Sequence, residues 1–170
     1  MQTNQSQVYF GKSGITIFKL IRACIAGAIA FVAANVVSNL LFFQIGKSIL
    51  FDPDLQSEKV MAVLFEMEPL PLMFSNGPLY MAIAAGIGVV HGLVFMYIEP
   101  SLPKNKLKRG VAFGAILWAL MALYFEFHTP FNMFHEPILL VLLELLFWIA
   151  ILLVEGLLIS WIYGKSRSAL

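Results

Sequence analysis

The sequence predicts an all-α integral membrane bundle of four transmembrane helices, with a short amphipathic interfacial helix in the first outer loop. Of its 170 residues, 60% are apolar and 12% charged, whereas soluble domains are about 45–50% apolar and about 25% charged. Four apolar stretches are each long enough to cross a hydrocarbon core of about 30 Å, which takes about 20 helical residues. These runs lack the polar alternation of barrel strands, and inside lipid every backbone N–H and C=O needs an internal partner, so the segments read as helices.

The first helix is expected over residues 20–45. Val32 and Ala34 could serve as the small residues of a signal-peptide cleavage site, which would leave a three-helix mature protein. Apolar sequence continues from Val36 to Ile45, which a cleaved signal does not need, so the segment is read as retained. The outer loop, 46–77, is too long for a simple turn. Asp52, Pro53 and Asp54 form a helix-start pattern, and Leu55, Val60, Met61, Leu64 and Phe65 alternate with Glu58, Lys59 and Glu66. An amphipathic helix over about 54–66 follows, lying on the membrane surface or capping the bundle.

The second helix is expected over 79–98, opened by Asn76, Gly77 and Pro78 and closed by Pro100 and Pro103. The third covers 111–127, and the fourth covers 138–163 with Pro137 at its start. The whole chain, 1–170, forms a single membrane domain.

Short cytoplasmic loops retain lysine and arginine. Lys12, Lys19 and Arg22 flank the first helix, Lys104, Lys106, Lys108 and Arg109 follow the second, and Lys165 and Arg167 follow the fourth. All three groups fall on one side of an even-numbered bundle, so both termini are expected in the cytoplasm, with the protein in a bacterial inner membrane. The basic residues form no continuous stripe and the net charge is +1, so nucleic acid is not an expected partner. The partners expected are the lipid bilayer and either further copies of the chain or a larger membrane complex. Cys24 is the only cysteine, which excludes an internal disulfide.

Lipid gives helices no hydrophobic reason to associate, so small residues that admit close backbone approach mark the contacts. Gly88 with Gly92, and Gly110 with Gly114, are GxxxG pairs at the cytoplasmic ends of consecutive helices. A tight contact between helices two and three is expected there, with an oligomer interface as the alternative.

Ionisable groups within the bilayer are costly and are default candidates for function. His91, Glu144 and Glu155 are the three here. Glu144 and Glu155 lie eleven residues apart, on one face of the fourth helix with Trp148. His91 and Glu155 lie about 10 and 12 Å from the cytoplasmic ends of their helices, a depth at which they can be neighbours. Asn35, Ser38 and Asn39 cluster on one face of the first helix and are expected to hydrogen-bond Glu144. In the last connection Glu126, His128, His135 and Glu136 could ligate a divalent metal, though their spacing matches no specific motif and an interfacial aromatic belt is the plainer reading. No cofactor is predicted, and no nucleophile triad, phosphate loop or dinucleotide fingerprint is present.

Three functions follow from these residues. A noncatalytic subunit or structural partner in a membrane assembly is favoured by small size and small-residue helix faces. A small proton- or cation-coupled transporter or channel would use Glu144, Glu155 and His91. An outer-face membrane enzyme or metal-binding protein would use Glu126, His128, His135 and Glu136.

Overall fold

The computed structural model describes residues 16–164, so the charges of Lys12, Lys165 and Arg167 lie outside the described residues. Four helices are long and apolar enough to cross a membrane: α1, Ile17–Ile45; α2, Gly77–Ser101; α3, Lys106–Met133; and α4, Ile138–Tyr163. Among the described residues there is no strand. Large apolar side chains face outward along all four, among them Ile25, Ile29, Val90, Leu120, Leu139 and Leu146. An apolar exterior around a helical bundle is the surface of an integral membrane protein.

The expected bounds hold for α4 and need lengthening elsewhere. Asn105 accepts a hydrogen bond from the Lys108 N–H at 3.1 Å, so α3 begins at Lys106, before its apolar run. It continues past residue 127 through a π-helical turn, Phe127–Met133, that carries Pro130. The wider turn accommodates the missing N–H, and the Pro130 carbonyl accepts from the Glu136 N–H at 3.0 Å. As a result Glu126 lies about two turns inside the helix end, where the expected bounds of 111–127 put it at the last turn, opening the connection.

α1 sits between α2 and α4, and α3 packs on the far side of α4. Ala23, Ala26, Gly27, Ala30 and Ala34 recur every three or four residues and form the buried face of α1. The expected glycine contact between the second and third helices is not what forms. A Cβ placed at Gly27 would collide with the backbone of Gly88 and Gly92, and one at Gly156 would collide with the backbone of Gly110 and Gly114. Each GxxxG pair therefore closes on a single glycine of another partner, α1 for α2 and α4 for α3. Where α2 does approach α3, the contact is aromatic: the Phe95 and Phe113 rings meet edge to face at 5.0 Å, and Tyr163 of α4 packs on Phe95 at 5.6 Å. Rings of that size hold the two backbones apart, so glycines spent on this contact would leave a void.

The loop between α1 and α2 folds over one end of the bundle, the capped end. Its helix runs over Glu58–Met61 and a π turn, Ala62–Glu66, shorter than the expected 54–66. The Asp52 carboxylate accepts from the Asp54 N–H at 2.9 Å and holds a turn, and Ser57 caps the helix instead. Phe51 and Phe65 of the loop pack with Phe43 of α1 and Phe74, ring centroids 5.2–6.0 Å apart, and fasten the cap to the helices. The opposite, basic end holds the α2–α3 connection. There Arg109, only 6% exposed, donates to Glu99 at 2.5 Å and to the Ser160 hydroxyl at 3.1 Å. It acts as a tie between helices more than as a loop charge.

Candidate functional site

His91 of α2 and Glu155 of α4 are brought together: His91 Nδ1 lies 2.6 Å from Glu155 Oε1, with the two residues 7% and 0% exposed. The close glycine packing of α1 against α2 leaves room for the imidazole to reach across to α4, and Phe31 of α1 meets its ring edge to face at 5.3 Å. The second oxygen, Glu155 Oε2, is buried with no hydrogen-bond partner. Glu155 lines a cavity of about 110 Å³ whose wall also holds Asn35, Ser38, Tyr80 and Trp148. A single water needs about 10–15 Å³ and two to four polar partners; the cavity has the space, and although Phe31, Ala34, Ile151 and Leu152 make its wall mostly apolar, Asn35, Ser38 and Tyr80 supply polar partners beside the carboxylate.

Asn35, Ser38 and Tyr80 also line a groove of about 460 Å³ between α1 and α2, together with Asn39 and Gln44. The Tyr80 hydroxyl donates to Asn35 Oδ1 at 2.7 Å, and Asn35 Nδ2 donates to the Phe31 carbonyl at 2.9 Å. The polar face of α1 thus lines the groove against α2, with Asn35 bonded to Tyr80. It does not hydrogen-bond Glu144, contrary to the sequence expectation, because the level of α4 that carries Glu144 is covered by α3.

What Glu144 meets is a group of carboxylates. One oxygen each from Glu126 of α3, Glu136 of the last connection and Glu144 of α4 lie within 4.8 Å of one another. Their residues are 1%, 3% and 9% exposed. Two donors hold this group from outside. Trp148 Nε1 donates to Glu126 Oε1 at 2.5 Å, and Gln56, buried beneath the cap, donates to Glu136 Oε1 at 2.6 Å. Gln56 also donates to the Leu50 carbonyl at 2.9 Å, and Ser57 donates to the Phe134 carbonyl, so the cap and the last connection are joined at this point. Burial holds the Glu136 carboxyl above its ordinary range; the Gln56 hydrogen bond lowers it, and the neighbouring Glu126 charge raises it further.

His128 and His135 do not join the carboxylates. His128 is exposed and stacks on Tyr124 at 5.2 Å, and His135 is exposed at the left-handed φ of 57° where the chain reverses between Phe134 and Glu136. Reversal at His135 sends Glu136 inward and leaves the histidine outside. The expected set of two histidines with Glu126 and Glu136 is thereby replaced by three glutamates. Gln56, Tyr80 and the two single glycines, Gly27 and Gly156, carried no signal of their own in the sequence, since each acts through a residue distant along the chain.

No family model, no curated protein and no solved structure matches this chain.

Proposed function

We propose that this integral membrane protein carries protons, with the His91–Glu155 pair as its working group. The observation that supports this reading is Glu155 itself: wholly buried, with one oxygen on an imidazole and the other without a protein partner, at the wall of a mostly apolar cavity that Asn35, Ser38 and Tyr80 also reach. Imidazole and carboxylate exchange a proton across a short hydrogen bond, and intramembrane ionisable residues of this kind mark relays. Asn35, Ser38 and Tyr80 extend the polar surface from that cavity to the groove between α1 and α2, which offers the route of entry. Lys104, Lys106 and Lys108 at the basic end favour that end in the cytoplasm of a bacterial inner membrane, with the capped end outside. In proteoliposomes carrying a pH-reporting dye, the wild type is expected to dissipate an imposed proton gradient. Glu155→Gln, which keeps the shape and a hydrogen bond to His91, is expected to stop it; equal flux in the two proteins, or none in the wild type, overturns the reading.

A second reading, a noncatalytic subunit of a membrane assembly, is favoured by a different observation. α2 and α4 otherwise meet mainly where Tyr163 packs on Phe95, so the His91–Glu155 bond also serves as a tie between them. On this reading Glu155→Gln folds and the protein copurifies with stoichiometric partner subunits, whereas a proton carrier works as a lone chain or with further copies of itself.

A further inference from the structure

We infer that Glu126, Glu136 and Glu144 form a binding site for a hard divalent cation of calcium size at the capped end of the bundle. The donor set is all oxygen, which suits Ca²⁺, Mg²⁺ or Mn²⁺ and not the nitrogen- and sulfur-preferring metals. Ligand number separates these. Mg²⁺ demands near-ideal octahedral geometry, keeps its waters and usually takes one or two carboxylates, whereas Ca²⁺ accepts several carboxylates in a flexible geometry. The three oxygens lie within 4.8 Å of one another, close enough to converge on one ion.

A group of acids alone would not point to a ligand. Here Glu126, 1% exposed, gives Oε1 to the Trp148 indole and leaves Oε2 buried without a donor, the other polar group in hydrogen-bonding reach of its carboxyl being a second acid, Glu144. Among the described residues no lysine, arginine or histidine forms an ion pair with any of the three glutamates. The surrounding donors are arranged as supports. Trp148 orients Glu126 and Gln56 orients Glu136, each by one oxygen, and such outer hydrogen bonds are what fix ligands about a metal. Because Gln56 and Ser57 belong to the α1–α2 loop, a bound cation would join that loop, the last connection, α3 and α4 at one point.

The test uses the purified full chain in detergent after chelator treatment, with Tb³⁺ as probe and Ca²⁺ as competitor. The Trp148 indole touches Glu126, so excitation of tryptophan sensitises Tb³⁺ held there. Saturable Tb³⁺ luminescence that Ca²⁺ displaces and Mg²⁺ displaces poorly is expected, at one ion per chain. Removing an outer-shell partner of a metal ligand typically costs about 10–100-fold in affinity, so Glu126→Gln and Glu144→Gln, which remove ligands, are expected to lose at least that much. His128→Ala and His135→Ala are expected to leave binding unchanged. The glutamine variants preserve shape and dispense with charge, so they fold, and circular dichroism with a melting curve verifies this. Ca²⁺ is expected to raise the Tm of the wild type and not that of Glu144→Gln. Absence of saturable binding to folded wild type overturns the inference and leaves the three acids sharing protons only. Binding that survives both glutamine changes, or that is lost with the histidines, also overturns it.

Discussion

Toward the basic end of the bundle a buried carboxylate, Glu155, has a base beside it; at the capped end three buried carboxylates have only an indole and an amide. The two regions lie on one face of the same helix, and Trp148 borders both. The His91–Glu155 pair is self-sufficient, since moving one proton between the partners changes a neutral contact into an ion pair without any outside charge. The glutamate trio has no such internal remedy. Two like charges 4.8 Å apart would repel by roughly 3–4 kcal/mol at an effective dielectric constant of about 20, so the three do not stand fully charged side by side. One region can hold its own proton, and the other draws in protons or a cation from outside.

The comparison breaks most visibly through truncation. Glu155→Ala or His91→Ala leaves a buried polar partner alone, and removal of one member of such a pair costs about 3–5 kcal/mol. Glu155→Gln costs far less, because an amide still bonds the imidazole. Denaturation in mixed detergent measures the difference, and an alanine penalty under about 1 kcal/mol would mean that water in the neighbouring cavity takes the partner's place. At the capped end Trp148→Phe removes the donor to Glu126 and is expected to cost about 1–3 kcal/mol. Glu144→Gln is milder. In chelator, where protons drawn in from outside already offset the repulsion, an amide of the same shape is expected to change stability by less than about 1 kcal/mol.

The four helices were legible because composition and run length act locally, and every apolar run had to become a helix in lipid. His91 and Glu155 were legible as neighbours because their depth follows from counting residues along straight helices. Glu126 was not, because its place depends on α3 continuing through Pro130 by a π turn, which no apolar run announces. The partner of Glu144 is not legible for a related reason: Asn35 and Ser38 share a cavity wall with Glu155, and Glu144 meets Glu126, whose place depends on that same turn. Gly88, Gly92, Gly110 and Gly114 were found as packing positions, yet the spacing alone does not say that their partners are Gly27 and Gly156.

The smallest expected effect is also the one that joins the two halves of the comparison, and it concerns Glu136. Burial raises its carboxyl in the folded protein, so between the unfolded value, about 4.3, and the folded one the native state holds a proton that the unfolded chain has released. Stability then falls as pH rises through that window, since the native state binds more protons there than the unfolded one. Melting curves in chelator are expected to show this slope, and Glu136→Gln to flatten it. With Ca²⁺ present the sign reverses, because the cation binds the carboxylate form and its hold strengthens as protons leave. A slope that is the same with and without Ca²⁺ would separate Glu136 from the cation and reduce the trio to Glu126 and Glu144, which two-residue binding measurements on Glu136→Gln would then confirm.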